Sequence, residues 1–128
     1  MAFALVTGMP LESFQSRSFR FACAIVRTYM KLAKLPNLPP HLARQVLRAG
    51  TSVGANLEEH KAAQSRRDAA TKVSIALKEA RETSYWLRLL LATDLAPATL
   101  LDPLIQEADE LIAILTVTRR RLNAPLQG

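Results

Sequence analysis

The segment 65–92, SRRDAATKVSIALKEARETSYWLRLLLA, carries the most regular pattern in the chain. Apolar or small side chains recur in it every three or four residues, which places them on one face of an α-helix. These positions are Ala70, Val73, Leu77, Ala80, Ser84, Leu87 and Leu91. Ser65 and Asp68 have the spacing of a capping box, in which a hydroxyl and a carboxylate bind opposite amides at a helix start. The segment therefore predicts a long helix with one core-facing seam, as in an antiparallel bundle.

Three other segments show the same helical spacing and are separated from each other by prolines. They run from about Ser13 to Leu35, from Pro39 to about Ala62, and from Pro97 to about Leu122. Proline lacks a backbone donor and disfavours helix in the preceding residue, so the prolines mark linkers. One proline falls inside a segment: Pro103 is expected to break or kink the first turns of the fourth helix, with Asp102 capping a restart.

Length and composition agree with this division into four helices. The chain has 128 residues, enough for one domain, with 49% hydrophobic and 5% aromatic residues and four glycines. This composition argues against disorder and against a β-sandwich. Because short linkers force neighbouring helices to run antiparallel, we predict an all-α, up-down four-helix bundle over residues 13–123. Residues 1–12 are expected to be a loose arm, and residues 124–128 a C-terminal tail.

The sequence offers little for catalysis, cofactors or membranes. Cys23 is the single cysteine, and His41 and His60 do not lie three residues after a glutamate, as a di-iron bundle would require. The run Glu58-Glu59-His60 is expected to be a solvated helix end with ion pairs. No apolar stretch approaches the roughly 20 residues that span a bilayer. We therefore expect a cytoplasmic protein with no catalytic residue, no metal and no cofactor.

Two glycines lie within the second helical segment. Gly50 and Gly54 each cost about 1 kcal/mol relative to alanine at a helix interior position. That cost is explained if the second helix packs unusually close to a neighbour. We therefore predict that both glycines serve helix packing.

The third helix carries a second apolar stripe, nearly opposite its core seam. Ile75, Trp86 and Leu89 form this stripe, and Glu79 and Glu82 are interleaved with it. Because one bundle core cannot bury both faces of a helix, the stripe predicts a subunit interface. The alternative is that the N-terminal arm covers it.

Basic side chains form two further stripes, which we call the α1 ridge and the α3 ridge. The α1 ridge is Arg17, Arg20, Arg27 and Lys31, and the α3 ridge is Arg67, Lys78, Arg81, Tyr85 and Arg88. Together with a net charge of +6, these stripes favour binding of phosphates, with Tyr85 able to stack on an unpaired base. The alternative is a solvated charged face, partly paired with Glu107, Asp109 and Glu110.

Three stretches resemble a known family of helical proteins. They are RAGTSVGANLEE (48–59), SIALKEARETSYWL (74–87) and EADELIAIL (107–115). Over residues 14–122 the chain is similar to the 23S rRNA intervening-sequence four-helix-bundle proteins. The resemblance implies a homopentameric ring. It also links the chain to accessory proteins of diversity-generating retroelements, which bind nucleic acid and a reverse transcriptase.

Together these observations indicate a non-enzymatic, oligomeric four-helix scaffold. Its expected partners are further copies of itself, RNA or DNA bound through the basic ridges, and a second protein such as a reverse transcriptase. The alternative is a protein-interaction adaptor that does not bind nucleic acid directly.

Overall fold

The computed structural model describes residues 13–125, which form four α-helices and contain no β-strand. The helices are α1 (Phe14–Leu32), α2 (Pro40–Lys61), α3 (Arg66–Ala92) and α4 (Ala98–Asn123). The predicted all-α, four-helix architecture is confirmed, although α1 ends before the predicted limit at Leu35. The predicted arm, residues 1–12, lies outside the described residues, as do residues 126–128 of the predicted tail.

The helices pack side by side in chain order and form a closed ring of four. Contacts join α1 to α2, α2 to α3, α3 to α4, and, less extensively, α1 to α4. Cross-helix pairs run in opposite directions along each contact: Arg48 of α2 meets Glu79 of α3, whereas His60, further along α2, meets Ala69. The topology is therefore up-down-up-down, and the diagonal pairs α1 with α3 and α2 with α4 do not touch.

Serine side chains cap two of the helices at their N-termini. The Ser13 hydroxyl accepts a hydrogen bond from the amide of Ser16 at 3.1 Å, and the Ser65 hydroxyl accepts one from Asp68 at 3.0 Å. The Asp68 carboxylate accepts from the Gln64 amide at 3.3 Å instead of the predicted Ser65 amide. The Ser65 hydroxyl thus binds one orphan amide of α3, and the Asp68 carboxylate binds an amide just before the helix; together they fix where this helix begins.

The predicted break of α4 at Pro103 does not occur. The helix runs continuously from Ala98 to Asn123 with Pro103 inside it, and Asp102 does not cap a second start. Pro103 removes one hydrogen bond, the one to the carbonyl of Thr99. Both residues are exposed, so water can bind that carbonyl and the helix tolerates the loss.

The buried side chains form two clusters along the length of the bundle. The larger cluster is rich in leucine and includes Phe21, Ile25, Leu90 and Leu101. The smaller one lies towards the α2–α3 linker and includes three members of the predicted α3 seam, Val73, Leu77 and Ala80. They are buried together with Ala76 of the same helix and with Val53, Leu57 and Leu115. Each helix therefore gives the interior the face that its periodicity predicted.

Both glycines of α2 are buried against α1. A Cβ built on Gly50 would lie 2.6 Å from the Cγ1 atom of Ile25, and one built on Gly54 would lie 3.2 Å from the carbonyl oxygen of Ser18. Ordinary van der Waals contact needs about 3.5 Å or more. The glycines thus allow the α1 and α2 backbones to approach closely. The sequence predicted a close neighbour for α2 without identifying it, and the structure shows that this neighbour is α1.

Candidate nucleic-acid interface

The α3 ridge is an exposed row of cations along one side of the bundle. Arg67, Lys78, Arg81 and Arg88 are all exposed, and the 22 residues from first to last span about 32 Å of helix. Tyr85 lies among them with its ring edge against Trp86, at a centroid distance of 5.1 Å, and is 51% exposed. The ridge therefore offers positive charges and one accessible aromatic ring on a rigid helix.

The four cations of this ridge lack carboxylate partners in the part of the chain that the structure describes. Within residues 13–125 none of them has a salt bridge within 4.0 Å, and the Nε atom of Arg88 donates to the Ser84 hydroxyl at 3.2 Å. Asp109, the nearest predicted partner on α4, instead accepts from Ser84 at 3.5 Å. None of the four charges is held in a salt bridge within the described chain, although the charge of Lys78 helps to lower the pKa of Glu82.

Arg17 behaves differently and does not belong to an exposed ridge. It is only 6% exposed, and its guanidinium donates to Glu107 at 2.8 and 3.1 Å and to Glu110 at 2.9 Å. The hydrogen bond to Glu107, with the second one to Glu110, outweighs burial and raises the pKa of Arg17. The prediction that Arg17 is available for nucleic acid is wrong, because this side chain ties α1 to α4 within its own chain.

The remaining members of the α1 ridge, Arg20, Arg27 and Lys31, are exposed. They lie on a different helix from the α3 ridge, and the backbones of α1 and α3 are not neighbours in the bundle. The two predicted ridges therefore do not form one continuous row.

A groove of about 700 Å³ opens between the first half of α3 and the last turn of α4. Arg66, Arg67 and Lys78 border it, and Ala70, Ile75 and Leu122 form an apolar floor. The guanidinium of Arg66 donates to the carbonyls of Leu122 at 3.0 Å and Arg121 at 2.5 Å. Arg66 thus neutralises the negative end of the α4 dipole, which would otherwise repel an anion at this position.

Glu79 and Glu82 of α3 form a network with α2. Arg48 of α2 donates to Glu79 at 3.1 Å and also to Glu82, which accepts a further hydrogen bond from the Trp86 indole at 3.3 Å. Burial would raise the pKa of Glu82, but the hydrogen bonds from Trp86 and Arg48 lower it overall. Glu79 is buried in its own chain, so the prediction that it belongs to a subunit interface is wrong.

Two of the stretches on which the family resemblance rests, 48–59 and 74–87, contain this network and both packing glycines. Sequence patterns did not single out Arg48. The available signal is an arginine on α2 and the pair Glu79-x-x-Glu82, whose spacing places both carboxylates on one face of the next helix. These stretches thus serve the α1–α2–α3 packing of the bundle.

The predicted apolar stripe of α3 is only partly open. Trp86 is half-buried and packs against the larger core cluster. Leu89 is half-buried, and Ile75 is 36% exposed and lines the groove.

A more exposed apolar stripe, which the sequence analysis did not predict, lies on α1. Phe19, Val26 and Met30 are 64%, 44% and 56% exposed. Their spacing of seven and four residues on one helix face was the available signal.

Neither a metal centre nor a membrane span emerges from residues 13–125. No three histidine, cysteine or carboxylate side chains there could share a metal ion. In the same part of the chain no helix is apolar enough over a sufficient length to cross a bilayer.

Two residues of the run Glu58-Glu59-His60 make contacts within the chain. The His60 ring packs edge-on against Phe14, and its Nδ1 lies 3.3 Å from the carbonyl oxygen of Ala69. Glu58 pairs with Lys61 at 3.5 Å. Glu58 and His60, at the end of α2, thus contact residues of their own chain.

A known protein family and a solved structure are similar to this chain. The profile of the 23S rRNA-intervening sequence protein family matches residues 12–117. A crystal structure of a protein of unknown function from the S23 ribosomal protein family of Bacteroides thetaiotaomicron VPI-5482 superposes with a TM-score of 0.78. That protein is 36% identical, and the alignment covers 84% of this chain and 99% of the other. No curated protein matches the chain.

Proposed function

Because the chain belongs to the 23S rRNA-intervening sequence protein family, we propose that it is a non-enzymatic, self-associating scaffold that binds RNA along the α3 ridge. The observation that carries this proposal is the row formed by Lys78, Arg81 and Arg88, which is exposed and makes no salt bridge within 4.0 Å in the described chain. Arginine and lysine in such a row bind phosphate oxygens without reading base sequence.

The structure favours the α3 ridge over the α1 ridge for this role. On α1, Arg17 is held by two carboxylates, and the exposed cations alternate with exposed apolar side chains. On α3, the cations flank Tyr85, a ring on which an unpaired base can stack. The α3 ridge therefore provides both contacts that single-stranded RNA uses.

The test compares two variants with equal loss of charge. One replaces Lys78, Arg81 and Arg88 by glutamine, and the other replaces Arg27, Lys31 and Lys34. Each variant lowers the net charge from +6 to +3. Fluorescence anisotropy with a short single-stranded RNA in about 0.1 M salt should show an affinity loss of roughly a hundredfold for the α3 variant. The α1 variant should lose less than about fivefold.

Equal losses in both variants would mean that net charge alone attracts the RNA and that no ridge is specific. If neither variant affects binding, or if the wild type binds no RNA, the protein-interaction adaptor replaces the RNA scaffold. Circular dichroism of both variants controls for folding, because all six substituted side chains are exposed.

We assign self-association to the apolar stripe of α1, which is formed by Phe19, Val26 and Met30. In this proposal a second copy of the chain covers the stripe. We pair the stripe with a surface on α4 that contains exposed Val117 and the exposed carboxylate Asp109, whereas Glu110 is already bound to Arg17 of its own chain. The cations beside the α1 stripe can face Asp109 across the contact. Such a contact between two different surfaces can close into a ring, including the pentamer that the family resemblance implies.

Light scattering at micromolar concentration tests this assignment. The wild type should have a mass that is a multiple of 14.1 kDa, and Phe19→Glu with Met30→Glu should reduce it to the monomer. Ile75→Glu, which changes an exposed residue of the α3 stripe, should leave the oligomer intact. A monomeric wild type refutes the proposal, and dissociation by Ile75→Glu alone would return the interface to α3.

A further inference from the structure

We propose that the groove between α3 and α4 holds one unstacked nucleotide of a single-stranded RNA, with the base on the apolar floor and the phosphate on the cations at its border. This inference rests on the proposed function, since the groove opens beside the α3 ridge and shares Arg67 and Lys78 with it. It adds a binding site of defined size and chemistry to a surface that otherwise binds only phosphates.

The dimensions of the groove suit a single nucleotide. Its volume of about 700 Å³ lies within the range of small-molecule sites, and it opens to solvent along the ridge. The floor formed by Ala70, Ile75 and Leu122 is the kind of surface against which the flat face of a base loses water contact favourably. A site that bound phosphate alone would not need an apolar surface.

The charges at the border fit a phosphate. Arg67 and Lys78 are exposed and have no salt bridge in the described chain, and no acidic side chain is among the described residues that line the groove. Arg66 is held by two carbonyls of the last turn of α4, so its charge is fixed at the end of the groove. The positive N-terminal end of α3 lies there too.

Polar groups at the edge can recognise the base or the ribose. The Ser74 hydroxyl and the Asn123 side chain both line the groove, and the Thr71 hydroxyl already donates to the Arg67 carbonyl at 3.1 Å. Thr71 can therefore only accept from a ligand, whereas Ser74 can donate or accept. These groups favour a nucleotide over a purely apolar ligand.

The experiment uses a 12-nucleotide single-stranded RNA with one 2-aminopurine, whose fluorescence rises when the base leaves its stacked neighbours. On binding wild-type protein the fluorescence should increase. Ser74→Trp fills the groove without changing charge, and Ile75→Gln removes the apolar floor. Each should abolish most of the increase and weaken RNA affinity about fivefold to tenfold, the lower range for one stacked base.

Ala55→Gln is the matched control. Ala55 is exposed and lies on α2, outside the groove and outside the two surfaces assigned to self-association. This variant should keep the wild-type fluorescence and affinity. Competition adds a second readout: adenosine monophosphate should displace the RNA from the groove at a lower concentration than inorganic phosphate.

The outcomes separate this inference from the proposed function. If Ser74→Trp and Ile75→Gln behave like the wild type while glutamines at Lys78, Arg81 and Arg88 weaken binding, the ridge binds RNA and the nucleotide site is wrong. Equal competition by phosphate and adenosine monophosphate would likewise overturn the base contact. If no variant affects RNA binding, the proposed function fails together with the inference.

Discussion

Gly50→Ala is predicted to destabilise the protein, although alanine favours helix over glycine by about 1 kcal/mol. The added Cβ would lie 2.6 to 2.8 Å from three carbons of Ile25, which is fully buried, so this side chain must shift against its packed neighbours. Overpacking of this kind costs about 1 to 3 kcal/mol. The net effect should therefore be a loss of about 1 kcal/mol in the free energy of unfolding.

The sign of this effect should reverse when Ile25 is shortened. Ile25→Ala removes all three crowding carbons and by itself costs about 2 to 5 kcal/mol. In that background Gly50→Ala meets no side chain from position 25 and should stabilise the protein by about 1 kcal/mol through helix propensity. The double-mutant cycle thus predicts a coupling of about 2 kcal/mol between the two positions.

Urea unfolding followed by circular dichroism, at one fixed protein concentration, measures all four variants. Gly54→Ala is the control, because its Cβ would meet the backbone carbonyl of Ser18, which Ile25→Ala leaves in place. Its effect should be the same in both backgrounds. If Gly50→Ala has the same sign with and without Ile25, the close crossing of α1 and α2 does not determine its effect, and our packing argument is refuted.

Arg17→Ala should lower the free energy of unfolding by about 2 kcal/mol, because it leaves two carboxylates of α4 without their buried partner, whereas Arg27→Ala should change it by less than about 0.5 kcal/mol in the same urea assay. Glu82 has a lowered pKa, so its contribution to stability is present above its unfolded pKa of about 4.3 and is lost as the pH falls through the lower folded value. Glu82→Gln should therefore flatten the acid side of the stability profile, and an unchanged acid slope would contradict this. Asp94 has a φ of 55° in the turn that ends α3, so Asp94→Gly should raise the melting temperature by a few degrees, and a fall would show that its side chain is needed there.

Hydrophobic periodicity predicted the fold of the chain almost completely. The α3 seam from Ala70 to Leu87 is buried as predicted, and the Ser65 cap lies where the spacing placed it. Such features depend on neighbours within one helix, and three- and four-residue spacing reports them directly. Pro103 was misjudged because its exposed position makes the lost hydrogen bond inexpensive, and exposure depends on the assembled bundle.

The candidate site was less predictable, because it depends on which helices are neighbours. Arg17 and Arg88 both lie in rows of basic residues with helical spacing. Arg17 is nevertheless buried against two carboxylates of α4, whereas Arg88 is exposed. A helical wheel shows that charges share a face but does not show what lies opposite that face. Likewise, the partner of Glu79 lies 31 residues away on another helix, and the α3–α4 groove joins residues more than 40 positions apart.

The most direct test of the central claim is the salt dependence of RNA binding. The logarithm of affinity should fall with the logarithm of salt concentration, by about 0.7 for each phosphate that the protein neutralises on a single strand. Replacing Lys78, Arg81 and Arg88 by glutamine should reduce this slope by about 2, whereas the matched replacement of Arg27, Lys31 and Lys34 should leave it unchanged. An unchanged slope in the α3 variant would contradict the account, because the α3 ridge would then make no contact with phosphate.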